Sequence, residues 1–130
     1  MRISCEVIVW YILPIIRREI ASELVNTHGM SQAEVARRFG VTDAAISQYL
    51  KKKRGDSESI EHLRSYPVFL GEMKKSAYAI AKENADFDLE LCRLCAVVRS
   101  TGLLREVSML QTKQDVNDCF NMGSPFDLNE

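Results

Sequence analysis

Cys5, Cys92, Cys95 and Cys119 are the residues of this 130-residue chain best equipped for metal or redox chemistry. Cys92 and Cys95 stand as Cys-x-x-Cys, a spacing at which two thiolates can share a zinc ion or an iron-sulfur cluster, and Cys119 and Cys5 could complete four ligands. There is no second Cys-x-x-Cys, and His28 and His62 lack ligand spacing. Leu91, Cys92, Cys95 and Val98 also fall together on one helical face, where cysteine packs as a small hydrophobe. Metal ligands, buried structural thiols and a redox switch therefore all stay open. Enzymatic chemistry finds less support. The chain has no glycine-rich phosphate loop, no Ser-His-Asp setting and no isolated carboxylate pair in apolar surroundings.

A second set of residues could do recognition rather than covalent chemistry. On a helix over 43–53, Asp43, Ala44, Ser47, Gln48 and Lys51 share one face, and each suits a base edge in the major groove of duplex DNA. Gln48 can bond adenine through two hydrogen bonds, Ser47 can donate or accept, and the Ala44 methyl can touch a thymine methyl. Asp43 either accepts from a cytosine amino group or caps the helix. Gln32 and Thr42 are placed to donate to phosphate oxygens. Lys51, Lys52, Lys53 and Arg54 add attraction for the backbone.

These side chains can read DNA only if two helices meet steeply across a tight turn. Ser31 stands three residues before Glu34, a capping box that predicts a helix start, and Gly40 ends that helix after Phe39. Thr42 is expected to cap the next helix. Ala36 is the small residue at the close approach, Gly40 supplies positive φ, and Val41, Ile46 and Leu50 form an apolar wedge. Val35 and Phe39 are expected to face a preceding helix over 14–28, in which Ile16, Ile20 and Leu24 repeat at helical spacing up to Gly29. Before it, residues 3–13 are apolar on nearly every side. They read as a short helix or extended arm that ends before Pro14 and is buried, with Trp10 and Tyr11 as contact residues toward a second subunit.

Downstream, residues 55–59 read as a linker, a short helix follows around 59–64, and Pro67 opens a helix to about residue 84 with Phe69, Met73, Ala77 and Ile80 on one face. Asp88 is expected to cap a further helix that Gly102 stops, and the last ten residues read as a loose tail. The fold class predicted is all-α: a helix-turn-helix bundle over 1–55, then a smaller helical region over 56–120 for dimerisation or sensing, then the tail over 121–130.

Overall charge is −1, but residues 1–55 carry nine Lys/Arg against five Asp/Glu, and residues 56–130 carry eight against thirteen. The basic half suits a phosphate backbone; the acidic half suits solvent or a partner. The longest apolar run falls short of a membrane span, and Glu6 with the charges at Arg17, Arg18 and Glu19 breaks any signal-peptide pattern. A cytoplasmic chain is expected.

The string SQAEVARRFGVTDAAISQYLKKKRG, residues 31–55, resembles the helix-turn-helix of the Cro and phage-repressor (Xre-type) family in its Gln, Ala, Gly-Val, Thr and Ile-Ser positions. The preceding run CEVIVWYILPIIRREIASELV is similar to a group of archaeal predicted transcriptional regulators with that motif near the N-terminus. The resemblance implies a homodimer on a two-fold-related operator, with Asp43, Ala44 and Gln48 at base-reading positions and Gln32 at the phosphate position. Asp43 and Ala44 depart from the longer polar residues common there. The archaeal likeness also implies cysteines in the C-terminal half, which favours a metal. A regulator of transcription is the expectation; a protein-binding adaptor on the same fold and a metal- or redox-responsive regulator are the alternatives.

Overall fold

Pro14 poses the first problem the chain must solve, because it offers no N–H and its ring crowds the carbonyl four residues back, at Trp10. The computed structural model, which describes residues 2–51, 60–112 and 116–117, shows the solution. Helix α1 (Ser4–Val7) passes into a π-helical turn (Ile8–Ile12) and on into α2 (Leu13–Asn26) without a break. The wider π ladder, in which the Leu13 N–H reaches the Ile8 carbonyl, absorbs the mismatch. Leu13 is thus helical, with φ −58° and ψ −41°. The expected break before Pro14 is corrected: the helical run continues through the proline, which stands in the first turn of α2 directly after the π turn.

Along this helical run Val7, Ile8, Ile12, Ile15, Ile16, Ile20 and Leu24 are buried, the 3- and 4-residue spacing of a core-facing stripe. Val9 and Trp10 lie off the stripe and are exposed. Within the single chain the burial expected of this segment extends to Val7, Ile8 and Ile12 but not to Val9 or Trp10.

Local signals set the next elements. Ser31 caps α3 (Gln32–Phe39), its Oγ accepting the Glu34 N–H at 3.1 Å. Gly40, at φ 72°, closes it: the Val41 N–H reaches the Ala36 carbonyl at 3.0 Å and the Gly40 N–H the Arg37 carbonyl at 3.3 Å. This pair of bonds is a Schellman closure, which requires a left-handed residue that only glycine supplies without strain. Thr42 then caps α4 (Asp43–Lys51), its Oγ1 accepting the Ala45 N–H at 3.1 Å.

A 3-10 turn (Ile60–His62) leads into α5 (Tyr66–Glu83), which has Pro67 in its first turn and ends at Asn84 in left-handed conformation. Helix α6 (Phe87–Ser100) is capped by Asp86, whose carboxylate accepts the Asp88 N–H at 3.1 Å. The cap expected at Asp88 is therefore corrected to Asp86, two residues earlier. Gly102, at φ 84°, precedes α7 (Leu103–Thr112). Short strands β1 (Arg2–Ile3) and β2 (Val116–Asn117) pair in parallel and join the two ends of the described chain.

The architecture is all-α, with α2 at its centre packed on both α4 and α5. One cluster of buried residues runs from Val7 to Val107, so the helices on either side of residues 52–59 share a core. Phe69, Met73, Ala77 and Ile80 are all buried on one face of α5, as their spacing predicts. Among the described residues no helix is long and apolar enough to cross a membrane. Lys52, Lys53, Arg54, the segment 55–59, Cys119 and the segment 121–130 lie outside the described residues.

Candidate functional site

The angle between α3 and α4 is held from inside. Ala36 and Val35 on α3 and Ile46 on α4 are buried, and Val41, Tyr49 and Leu50 pack against the same core from its edge. Beneath them lies α2, which touches both helices. Phe39, expected to face the first helix, has its ring stacked on Phe87 of α6, centroids 3.9 Å apart and planes 10° from parallel. The Arg38 Nη1 donates to the Ile80 carbonyl of α5 at 3.0 Å. The turn is thus braced from both halves of the chain.

The face of α4 turned away from this packing carries the residues singled out in sequence. Asp43, Ala44, Gln48 and Lys51 are exposed, and Ser47 is half-buried. Gln32, in the first turn of α3, and Thr42, in the turn, are also exposed. Four of the ten candidate residues for DNA are therefore brought to one exposed helix face, with the half-buried Ser47 among them. Lys52, Lys53 and Arg54 lie outside the described residues. Because the Thr42 hydroxyl already caps α4, the Asp43 carboxylate is not needed for that role.

Electrostatics around α3 were partly hidden in the sequence. Glu34 was expected to complete a reciprocal capping box, but its two carboxylate oxygens turn along the helix, one to Arg37 and the other to Arg38 Nε at 2.9 Å. Hydrogen bonding from Arg38 foremost, with the charges of both arginines behind it, holds the Glu34 carboxyl below the usual carboxylate range. Arg37 is exposed and adds a cation near the turn that sequence reasoning passed over. Its signal was the Arg37-Arg38 pair in the last turn of a capped helix, where basic residues complement the dipole.

On α6, the buried stripe consists of Phe87, Leu94 and Val98, with Leu91 and Cys95 half-buried at its margin and Cys92 exposed. Of the face assigned to Leu91, Cys92, Cys95 and Val98, only Cys92 is corrected: it is exposed, while Leu91 and Cys95 pack against the core, Val98 is buried, and Leu94 joins them. Cys5 lies in α1 and Cys119 outside the described residues. Among the described residues no group of three or more His, Cys, Asp and Glu side chains is placed to hold a metal ion. His28 stands edge-on to Tyr78, centroids 6.1 Å apart, and His62 is exposed.

Polar clamps fix the scaffold behind the site. Arg93 of α6 pairs with Glu72 and Glu90, and its Nη2 donates to the Ser76 Oγ at 2.7 Å, which ties α6 to α5. Glu106 of α7 accepts the Ser65 N–H at 3.1 Å and the Ser65 hydroxyl at 2.9 Å, which secures the start of α5.

The family model described as "Helix-turn-helix", of Cro/C1 type, matches residues 22–55, about a quarter of the chain. The matched stretch takes in the end of α2, all of α3 and all of α4. Neither a curated protein nor a solved structure matches the chain.

Proposed function

We propose, with a helix-turn-helix at residues 22–55 as the premise, that this protein is a sequence-specific binder of double-stranded DNA that regulates transcription as a homodimer. The observation that carries this reading is the division of α4 into two faces. Ile46 is 0% exposed against the core, while Asp43, Ala44, Gln48 and Lys51 stand in solvent. Such a helix can enter a major groove without giving up its packing.

In that groove Gln48 bonds the N6 and N7 edge of an adenine, Ser47 donates or accepts beside it, and the Ala44 methyl meets a thymine methyl. Asp43, relieved of capping by Thr42, accepts from a cytosine amino group. Gln32 and Thr42 bond phosphate oxygens and fix register, and Lys51, Lys52, Lys53 and Arg54 supply attraction that is blind to sequence. Dimerisation places two such helices on successive turns of the duplex.

A fluorescence-anisotropy titration of the full chain against labelled duplex, repeated from low to physiological salt, tests the reading. Affinity is expected to fall steeply as salt rises, because each phosphate contact releases counterions. Absence of duplex binding even at low salt contradicts DNA recognition and leaves a protein-binding adaptor on the same fold.

A further inference from the structure

We propose that the outward face at the start of the long N-terminal helical run is the dimer interface, on which a second copy of the chain packs antiparallel. The two-fold axis lies level with residues 11 and 12. This inference rests on the homodimer of the preceding reading and supplies its surface and register.

Glu6, Val9, Trp10 and Pro14 are exposed and Leu13 and Arg17 half-buried, whereas Val7, Ile8, Ile12, Ile15 and Ile16 among them are buried. Steps of three and four residues put the first six on one side of the run, turned away from the stripe that serves the core. Trp10 is 68% exposed and Val9 55%. Large apolar side chains grouped in water on one face mark a surface of association, and tryptophan is foremost among the residues that carry such contacts. Tyr11, expected beside Trp10 in this role, is half-buried and packs against the core instead.

The charges at the two ends of the face name the partner. Glu6 closes it on one side and Arg17 on the other, with only apolar side chains between them on the outward face. Each position is mirrored about the point between residues 11 and 12: Glu6 by Arg17, Val9 by Pro14, Trp10 by Leu13. Turned end for end, the face therefore complements itself. Glu6 meets Arg17 of the second copy at both ends, and Trp10 meets Leu13 on either side of the axis, as an isologous contact requires. Parallel packing would set Glu6 against Glu6 and Arg17 against Arg17, which is unfavourable. Glu6 also has an interaction within its own chain, and a carboxylate has oxygen lone pairs for a second cation. The face takes no residue from α3 or α4, so the outward side of α4 stays open.

Sedimentation of the full-length protein over a dilution series tests the proposal, with emission of Trp10, the single tryptophan, read on the same samples. A dimer is expected. Its dissociation should shift the emission to the red with the same midpoint, because the monomer leaves the ring in water. Trp10→Ala is expected to weaken the dimer about thirtyfold or more. Arg17→Glu, which sets like charges together at both ends, is expected to weaken it about tenfold or more. Glu6→Arg combined with Arg17→Glu exchanges the charges and is expected to restore affinity to within about threefold, a rescue that loss of a merely structural contact would not give.

A dimer that dissociates without change in Trp10 emission, or that withstands Trp10→Ala and Arg17→Glu, overturns the proposal and leaves the homodimer standing on another surface. Absence of rescue in a folded exchange variant overturns the antiparallel register. A chain that stays monomeric up to about 100 µM, or grows past a dimer into open assemblies, overturns both the interface and the homodimer. Should helical ellipticity show that the exchange variant does not fold, Trp10→Ala and the emission midpoint decide. Duplex binding is read separately, by the anisotropy titration.

Discussion

Removing the Phe87 ring should weaken a helix-turn-helix that Phe87 is no part of by sequence. The ring lies 3.9 Å from that of Phe39, the last residue of α3, and the two planes are within 10° of parallel. Both rings are buried. Phe87→Ala deletes a buried ring and leaves a cavity, a change that costs about 3–5 kcal/mol. Against a total stability of roughly 5–15 kcal/mol this lowers the melting temperature by roughly ten degrees or more. The contact itself is isolated by a double-mutant cycle with Phe39→Leu and Phe87→Leu, which retain bulk and remove stacking. Urea unfolding followed by helical ellipticity should give a coupling of about 0.5–1.5 kcal/mol between the two sites. Additivity within about 0.3 kcal/mol, together with a small cost for Phe87→Ala, would refute the claim that α6 braces the helix-turn-helix.

Other perturbations test the local chemistry. Gly40→Ala should cost about 1–2 kcal/mol by urea unfolding, all of it from the left-handed backbone at φ 72°, because a methyl group there meets nothing within 4 Å. A cost near zero would place the turn in another conformation. Thr42→Ala should cost about 1 kcal/mol through loss of the cap on the Ala45 N–H, and Thr42→Ser should recover most of it. Glu34, whose carboxyl is held below the usual range, contributes stability that is present above the unfolded carboxylate range and lost as pH falls through the folded one. Melting curves from pH 7 down to pH 3 should therefore show Glu34→Gln below the unaltered protein at neutral pH, with the gap closing in acid. A gap that widens in acid contradicts the sign.

The parts of the fold legible in sequence were those decided within a few residues. Ser31, Gly40 and Thr42 announce caps and a turn because their hydrogen bonds reach three to five residues away. The outward face of α4 followed from the same local register. What escaped was decided by distant partners or by register. Phe39 could not reveal Phe87, 48 positions later, nor could Arg38 reveal the Ile80 carbonyl. Pro14 looked like a break because a π turn that absorbs it has no sequence signature of its own. On α6, exchanging Cys92 for Leu94 as a core residue is a small rotation of the helix, too fine for periodicity to settle. Asp86 and Asp88 are chemically equivalent caps, and it is Asp86, in extended conformation, whose carboxylate accepts the Asp88 N–H.

Whether the exposed face of α4 reads bases is tested most directly on duplexes selected from a random pool by the full-length protein. With those duplexes, Gln48→Ala is expected to lose about 1–3 kcal/mol of discrimination at one base position and to leave the others unchanged. Lys51→Ala is expected to weaken every sequence alike. Failure of any sequence to enrich, or equal and uniform losses from the two substitutions, would contradict the docking of α4 in the major groove.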